Sequence, residues 1–532
     1  MGQGKVVASM EHKLSVDAGG DQNTTTNDSD NHFDLAVEAK RLFHVGIPSV
    51  LVQFNLYFIF PTSASYVGRL LGTVELGAFS VGSLVGNLTC LSIVVGALTA
   101  ADTLLPRAYG IQNYKEIGRL VIRAIAVCSL LLTPPIIILS QSPVMYNLLH
   151  TVGHQDSEVS RLAAYEWIFP YFVLGQPANM LFRVFQRFLI AQHQSWPPVL
   201  ASIVPSIIIH PLLLQLLVPR LGLKGSALAI AITQWLMLFC LVLYMKIYPS
   251  IYHPDSFPSS WSYVKEGLTR QAEFVRFAKL SVGGVFSLSE WWFWESMCFL
   301  AGTFGVEQLS AHTIAYNIIP LCFMFPLGMS IGLSVRMGHV IAHSAYKARL
   351  MALYTMVFTI AIGLLVSGVL FSLQTSIIQL FTHDRLVIEY CHEIWFKVCY
   401  YIVMMYVFGI NGAILRALGM QWTMAAVVFT CLWFLALPSI FYFAYARHGG
   451  FVMQWTLLPV FYTLMQLILF ASYATVNWED RSVKIRSSVT YQMMQRRSSA
   501  SEAAALNAAT SGQQDIETEE TPLLSTAEVV SG

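Results

Sequence analysis

The sequence predicts an all-α polytopic membrane protein, with twelve transmembrane helices arranged as two halves of six. Three observations predict it. The 532 residues are 55% hydrophobic and only 11% charged, with a mean hydropathy of +0.58, beyond the composition of a soluble globular domain. Twelve apolar stretches are each long enough to cross a hydrocarbon core of roughly 30 Å. Short segments also recur at one offset: "GTVELGA" (Gly72 to Ala78) lines up with "GVEQLSA" (Gly305 to Ala311), and "PSI" at Pro205 with "PSI" at Pro438, each 233 residues apart.

The spans are expected near 44–66, 76–100, 118–140, 163–187, 196–218 and 225–247 in the first half. In the second they are expected near 277–303, 311–335, 350–374, 394–416, 421–445 and 453–475. Pro48, Pro61, Pro177, Pro205, Pro326 and Pro438 lie inside them, at positions that break soluble helices but serve as kinks in lipid. Six spans per half is an even number, so both halves share one orientation and form a parallel repeat. In secondary transporters built from repeats, substrate binds near the midplane.

An even total also puts both termini on one side. Of the 31 Lys and Arg, six (Arg69, Arg161, Arg220, Lys224, Arg385 and Arg447) fall in the loops of one face, and Lys397 lies within span ten. The rest belong to the tails and loops of the other face, including Arg183 and Arg187, counted with the loop after span four. Both ends are therefore expected in the cytosol. The sequons at Asn23 and Asn27 would then not meet the glycosylation machinery, and that at Asn87 sits within a span.

The organisation that follows is a disordered cytosolic tail (1–40), a first half (41–248), a cytosolic linker (249–276), a second half (277–475) and a disordered cytosolic tail (476–532). No signal peptide opens the chain, and "MGQGKV" has Val6 where myristoylation wants Ser or Thr. Within the linker a short surface helix is expected near Trp261. The eight cysteines lack metal-ligand or disulfide spacing and read as packing residues. A net charge of +1 suggests no nucleic-acid partner, and no metal or cofactor is expected.

The chemistry concentrates in "SEWWFWES" (Ser289 to Ser296), which sets Glu290 and Glu295 among three tryptophans inside span seven. A charged carboxylate at the bilayer centre costs about 2.5–3.5 kcal/mol on insertion scales, so something must offset two of them. Five residues apart on a helix, they stand roughly 7.5 Å apart along the axis and about 140° around it. One reading is packing, with neighbouring hydroxyls donating to them. The other is a proton switch: removal from water favours the protonated form of a carboxyl, and the ionised form attracts an organic cation. Glu295 is preferred as the coupling site, with Glu290 close behind.

Trp294, one turn from Glu290 on the same face, is the tryptophan expected in a substrate cavity through cation–π contact. Lys397 has two readings. It either pairs with Glu393 four residues earlier at the outer mouth or approaches Glu295 as an internal counter-ion. Asp102, near the cytosolic end of span two, reads as a hinge or gate contact.

"GTVELGAFSVG", "ALTAADTLLPRAYGIQNYKEIG", "EWWFWE…LAGTFGVEQLSAHTIAYN", "FPLGMSIGLSVRMG" and "AILRALG" in this order resemble the multidrug and toxic compound extrusion (MATE) family, particularly its eukaryotic branch. The resemblance covers about residues 42–475. It implies two six-helix lobes around a V-shaped central cavity, and export of organic cations or other amphiphiles in exchange for protons or sodium. It also implies that Glu290 and Glu295 fall on the span-seven carboxylates of the family, Gln53 on a span-one glutamine and Asn87 on a span-two asparagine. Tyr316 and Asn317 stand where animal members often have Tyr-Glu, and Met405 where they have a span-ten Glu.

In the C-terminal tail Glu519 precedes Leu523 and Leu524 by the spacing of an acidic dileucine sorting signal. It would be read by clathrin adaptors and direct the protein to an endolysosomal or vacuolar membrane, the plasma membrane being the alternative. The basic run before Ser499 reads as a membrane-proximal patch or a kinase site. The resulting expectation is a proton-coupled antiporter of small organic solutes rather than an enzyme. Its rivals are a lipid-linked precursor flippase, which wants a more cationic cavity, a membrane receptor and a channel.

Overall fold

The computed structural model describes residues 35–485, apart from 153–156, 169, 258–260, 342 and 383. The sorting signal at Glu519, Leu523 and Leu524, Ser499 and the sequons at Asn23 and Asn27 lie outside the described residues. The chain divides into Met1–Lys40, whose described part is the opening of the first helix, and Arg41–Gly532, which holds every other element.

Among the described residues the elements are all helical. In chain order they are α1 (Leu35–Leu70), α2 (Val74–Gly110), α3 (Tyr114–Ser140), the shorter α4 (Gln176–Ala191), α5 (Trp196–Leu221) and α6 (Leu223–Ile247). There follow α7 (Trp261–Thr269), the pair α8 (Gln271–Ser287) and α9 (Ser289–Gly302), α10 (Val306–Val340), α11 (Ala345–Ser372), α12 (Arg385–Leu418), α13 (Gln421–Ala446) and α14 (Gly450–Ala474). Ten helices among the described residues are long and apolar enough to cross a membrane.

Two of the twelve expected spans are broken. Residues 157–191 pass through Ser157–Leu162 and two π-helical segments, Ala163–Ile168 and Pro170–Gly175, before α4. Span seven, read as one helix over 277–303, turns at Leu288, where α8 ends and α9 starts. Ser287 Oγ donates to the Gly284 carbonyl (2.7 Å) there, and the break puts Glu290 in the first turn of α9.

Most continuous helices outrun their apolar stretches, because hydropathy marks only the hydrocarbon-matched part while capping sets the ends. Asp384 accepts from the Leu386 and Val387 amides (2.8 and 3.4 Å), so α12 starts nine residues before the expected 394. Asn113 accepts from Glu116 N at the start of α3, and Ser344 from Lys347 N at the start of α11. At the other end of the chain, residues 478–485 are helical although they fall in the expected disordered tail.

The duplication read from the offset is visible in the backbone. Gly72 (φ 132°) precedes the helix from Thr73, and Gly305 (φ 141°), 233 residues on, precedes α10. Both hold a positive φ that side chains rarely adopt. Pro205 lies in a π-helical segment and Pro438 directly follows one. The apolar interior divides the same way: one core runs from Val52 to Phe277, the other from Phe293 to Ile485 with Leu42 and Val50 of α1. Where α1 meets α10, Gly46 and Gly332 let the backbones approach; a Cβ on Gly332 would stand 2.8 Å from Gly46 Cα.

Helix α12 is the most enclosed span, with 83% of its apolar window buried, whereas α11 has 22%. The outward faces carry apolar groups such as Leu130, Phe239 and Phe434, a surface that needs lipid rather than water as its solvent. The linker contains the surface helix expected near Trp261. This helix, α7, is held to α3 by charge: Glu266 accepts from Arg119 (2.7 Å) and Arg270 (2.7 Å). Burial pushes the Glu266 carboxyl up, but the hydrogen bonds and charges of these arginines hold it below the ordinary glutamate value. A carboxyl so held stabilises the folded state above its unfolded value of about 4.3, and that contribution is lost as pH falls through the lower folded value. Amide exchange across residues 261–269, corrected for intrinsic rates, is expected to accelerate on acidification below about pH 4. In Glu266→Gln it should already be fast at neutral pH.

Candidate functional site

Glu290 and Glu295 leave α9 on different faces, as their spacing requires, and meet different surroundings. Glu290 points into the second core. Its Oε1 accepts from Tyr462 on α14 (2.8 Å) and, at 3.4 Å, from Tyr401 on α12. Glu295 accepts from Tyr316 on α10 (2.5 Å) and lines a cavity of about 460 Å³ walled by α1, α2, α4, α9 and α10. Both carboxylates are more than nine-tenths buried, and the Oε2 of each has no hydrogen-bond partner among the described residues. Phenolic donors, not lysine or arginine, therefore offset their burial. No ion pair involves either carboxylate among the described residues.

Gln53, Asn87, Tyr316 and Asn317 line the cavity with Glu295. Asn87 opens a π-helical turn of α2, Asn87–Leu91, a distortion common at functional sites. Trp292 reaches that turn across the halves, its Nε1 donating to the Leu88 carbonyl and to Ser92 Oγ at 3.1 Å each. Glu295 also borders a second cavity of about 300 Å³ with Trp292 and Trp433.

Two expectations change. Trp294 does share the Glu290 face, but that face looks into the second core, where Trp294 stacks on Tyr401 at 5.0 Å. Trp291, four residues before Glu295 and on its face, lines the cavity instead. Lys397 is half-buried on α12 with Glu393 as its electrostatic partner, and it does not line the cavity. The α12 group that reaches span seven is Tyr401, one turn further on.

Sequence reasoning missed Arg183 and Arg187, which line the cavity from α4. Their place at the end of span four reads as loop charge, whereas both are more than nine-tenths buried. Arg187 Nε faces Asp102 Oδ1 at 2.6 Å. Arg183 Nε donates to Asn179 Oδ1 (3.0 Å), and the guanidinium has no carboxylate partner among the described residues. The Arg-x-x-x-Arg spacing, which puts both on one helix face, was the available signal.

Beyond Asp102, the end of α2 latches the two halves. Thr103 Oγ1 donates to the Arg416 carbonyl (2.8 Å), Arg107 to the Ala417 carbonyl, and Gln421 to Thr103 Oγ1 (2.7 Å). At the C-terminus of α12 Arg107 thus meets the Ala417 carbonyl, and Thr103 shares the Arg416 carbonyl with the Gly419 amide. His343 Nε2 hydrogen-bonds the Gly110 carbonyl at 3.0 Å, joining residues exactly one repeat apart in sequence.

In membrane proteins built from repeats, a ligand-sized cavity walled by both halves is where solute binds, so this fold and site define a membrane transporter and not an enzyme. Residues 48–214 and 284–441 each match the MatE family, and the chain belongs to it. Multidrug and toxin extrusion protein 1 of Homo sapiens is 28% identical over 83% of this chain and 75% of its own length. The protein of the same name from Xenopus tropicalis is 29% identical over 65% of this chain, a match spanning 58% of that relative. The crystal structure of the eukaryotic MATE transporter AtDTX14 superposes with a TM-score of 0.78 at 22% identity, over 85% of this chain and 99% of that one. An outward-facing multidrug resistance MATE family transporter superposes with a TM-score of 0.69 at 15% identity, over 84% and 96%. The chain is thus a secondary transporter of the eukaryotic MATE type.

Proposed function

We propose that the protein exports amphiphilic organic cations from the cytosol in exchange for protons. Twelve spans in two six-helix lobes then follow if the broken segments 157–191 and 271–302 count as spans four and seven. The observation that carries the reading is Glu295, a buried carboxylate on the cavity wall with one oxygen held by Tyr316 and the other without a hydrogen-bond partner among the described residues. One carboxylate can hold a proton or a cation, and competition between them for one charge is the requirement for exchange. Gln53, Asn87 and Asn317 supply polar contacts beside the apolar groups Phe60, Met324 and Leu327. An endolysosomal or vacuolar membrane, with both termini cytosolic and adaptor recognition at Leu523 and Leu524, remains part of this proposal.

Proteoliposomes with an imposed pH gradient test it. A fluorescent organic cation is expected to accumulate on the acidic side with saturation and counterflow. Uptake indifferent to the proton gradient, or driven only by sodium, would refute proton exchange.

Arg183 favours a second reading of the substrate. A buried guanidinium without a carboxylate partner among the described residues suits an acidic group on the bound solute, which would make the preferred substrate an amphiphile bearing both charges. Arg183→Ala is expected to weaken competition by a zwitterionic amphiphile about tenfold, equivalent to some 1.4 kcal/mol, and to leave a purely cationic competitor unchanged. Equal effects on both would sink this second reading.

A further inference from the structure

At the end of the bundle that carries the latch lies a third cavity, of about 480 Å³, outside the site described above. Its charged lining is Arg107 from α2, Arg276 and Lys279 from α8, and Arg481 and Lys484 from the helix over residues 478–485. Among the described residues no Asp or Glu lines it. Arg107 is more than nine-tenths buried, its Nε has no hydrogen-bond partner among the described residues, and Arg276 and Arg481 line the same cavity. Among the described residues Arg107, Arg276, Lys279 and Arg481 make no ion pair. The nearest acid in sequence to Arg276, Glu273, already bonds Arg123 and lies 3.7 Å from Arg270.

Like charges do not gather around a buried guanidinium without cost, so the arrangement calls for a multivalent anion. Arginine forks and lysine ammoniums together match phosphate oxygens. The cavity's apolar part indicates what carries the phosphate. Val275 and Trp422 are exposed at its edge, and Phe286 lies beside Trp422 with ring centroids 6.3 Å apart, so an apolar ramp leads from the charged pocket along α8 and α13. Trp422 also donates to the Lys279 carbonyl (3.0 Å), which fixes the ring at the rim. Tryptophan beside basic residues marks the membrane–water boundary.

We propose that this cavity binds the phosphorylated headgroup of an anionic membrane lipid in the cytosolic leaflet, its acyl chain lying along the ramp of Val275, Trp422 and Phe286. Basic pockets between helices on a cytosolic face recognise such headgroups. The bound lipid neutralises Arg107 beside the α12 C-terminus and so supports the latch between the halves. Ser482, which donates to the Ile341 carbonyl (2.7 Å), holds the helix bearing Arg481 and Lys484 in place for this contact.

The test compares the full chain in nanodiscs of phosphatidylcholine with nanodiscs containing added phosphatidylinositol bisphosphate. Lipid retained by the purified protein and the midpoint of thermal unfolding are the two readouts. Arg276 and Lys279 are exposed and Arg481 half-exposed, so the triple variant Arg276→Gln, Lys279→Gln, Arg481→Gln should fold. It is expected to bind the phosphoinositide about 100-fold more weakly and to lose its thermal stabilisation. The charge-preserving variant Arg276→Lys, Lys279→Arg, Arg481→Lys should recover most of the binding. Equal affinity of the native chain and the glutamine variant would overturn the proposal, as would no preference for phosphoinositide over phosphatidylcholine. Soluble inositol trisphosphate binding as tightly as the lipid would overturn the lipid assignment in favour of a free phosphate ester.

Discussion

Glu295→Gln is expected to abolish proton-driven uptake of an organic cation while leaving the folded protein intact. Glutamine keeps the shape and can still accept the Tyr316 hydrogen bond, but it has no charge to share between proton and solute. A hydrogen bond or contact to a charged group contributes about 1.5–3 kcal/mol, so cation affinity should fall roughly 10- to 100-fold, with coupling lost entirely. Glu290→Gln provides the contrast. Glu290 is held by Tyr401 and Tyr462 within the second core and does not line the cavity, so its replacement should leave cation affinity unchanged. Competition binding and gradient-driven flux on both variants separate the roles. Retention of full gradient dependence in the Glu295 variant would remove it from the coupling mechanism.

The largest effect on stability is expected from Arg123→Ala. Arg123 is 1% exposed and joins three elements: Nη1 donates to Glu116 (2.7 Å) on its own helix α3, Nε to the Gly267 carbonyl of α7 (3.1 Å), and Nη2 to Glu273 of α8. Removing it takes the closest ion-pair partner from Glu116 and Glu273, which keep Arg119 at 3.5 Å and Arg270 at 3.7 Å, so the loss approaches the about 3–5 kcal/mol of a broken buried pair. The purified variant should unfold at a distinctly lower temperature. Arg123→Lys should recover only part of the loss, since an ammonium cannot span three acceptors that a guanidinium fork meets at once. An unchanged melting temperature in Arg123→Ala would show that Arg119 and Tyr263 suffice to hold the linker to α3.

How much of the candidate site was legible in the chain depends on which physical constraint spoke. Glu295 and Glu290 stood out because a carboxylate in an apolar run is costly wherever the fold puts it. Gln53, Asn87, Tyr316 and Asn317 came from family resemblance, and all four line the cavity. Trp294 was placed on the correct helix face, yet which face looks into the cavity depends on the neighbours of α9. Arg183 and Arg187 were misread because cations near a span end usually belong to a loop; α4 instead follows broken π-helical turns and carries both inside. The basic cavity was invisible for a similar reason. Its five cations come from three separate stretches, and Arg481 and Lys484 fell where composition suggested disorder.

The sequence by itself determined that the chain is helical and needs a membrane as solvent, that it is duplicated, and where most of its helices lie. Length, hydropathy and repeat offset are properties of a linear string, and each constrains the fold without reference to any neighbour. Tertiary structure alone decided that span seven breaks at Leu288, that Glu290 faces a core while Glu295 faces a cavity, and that Arg183 shares that cavity. The physical reason is that a side chain's burial, partners and charge environment are set by helices distant in sequence. Tyr316, Tyr401 and Tyr462 reach the two carboxylates from three different helices, and no local pattern around Glu290 or Glu295 names them.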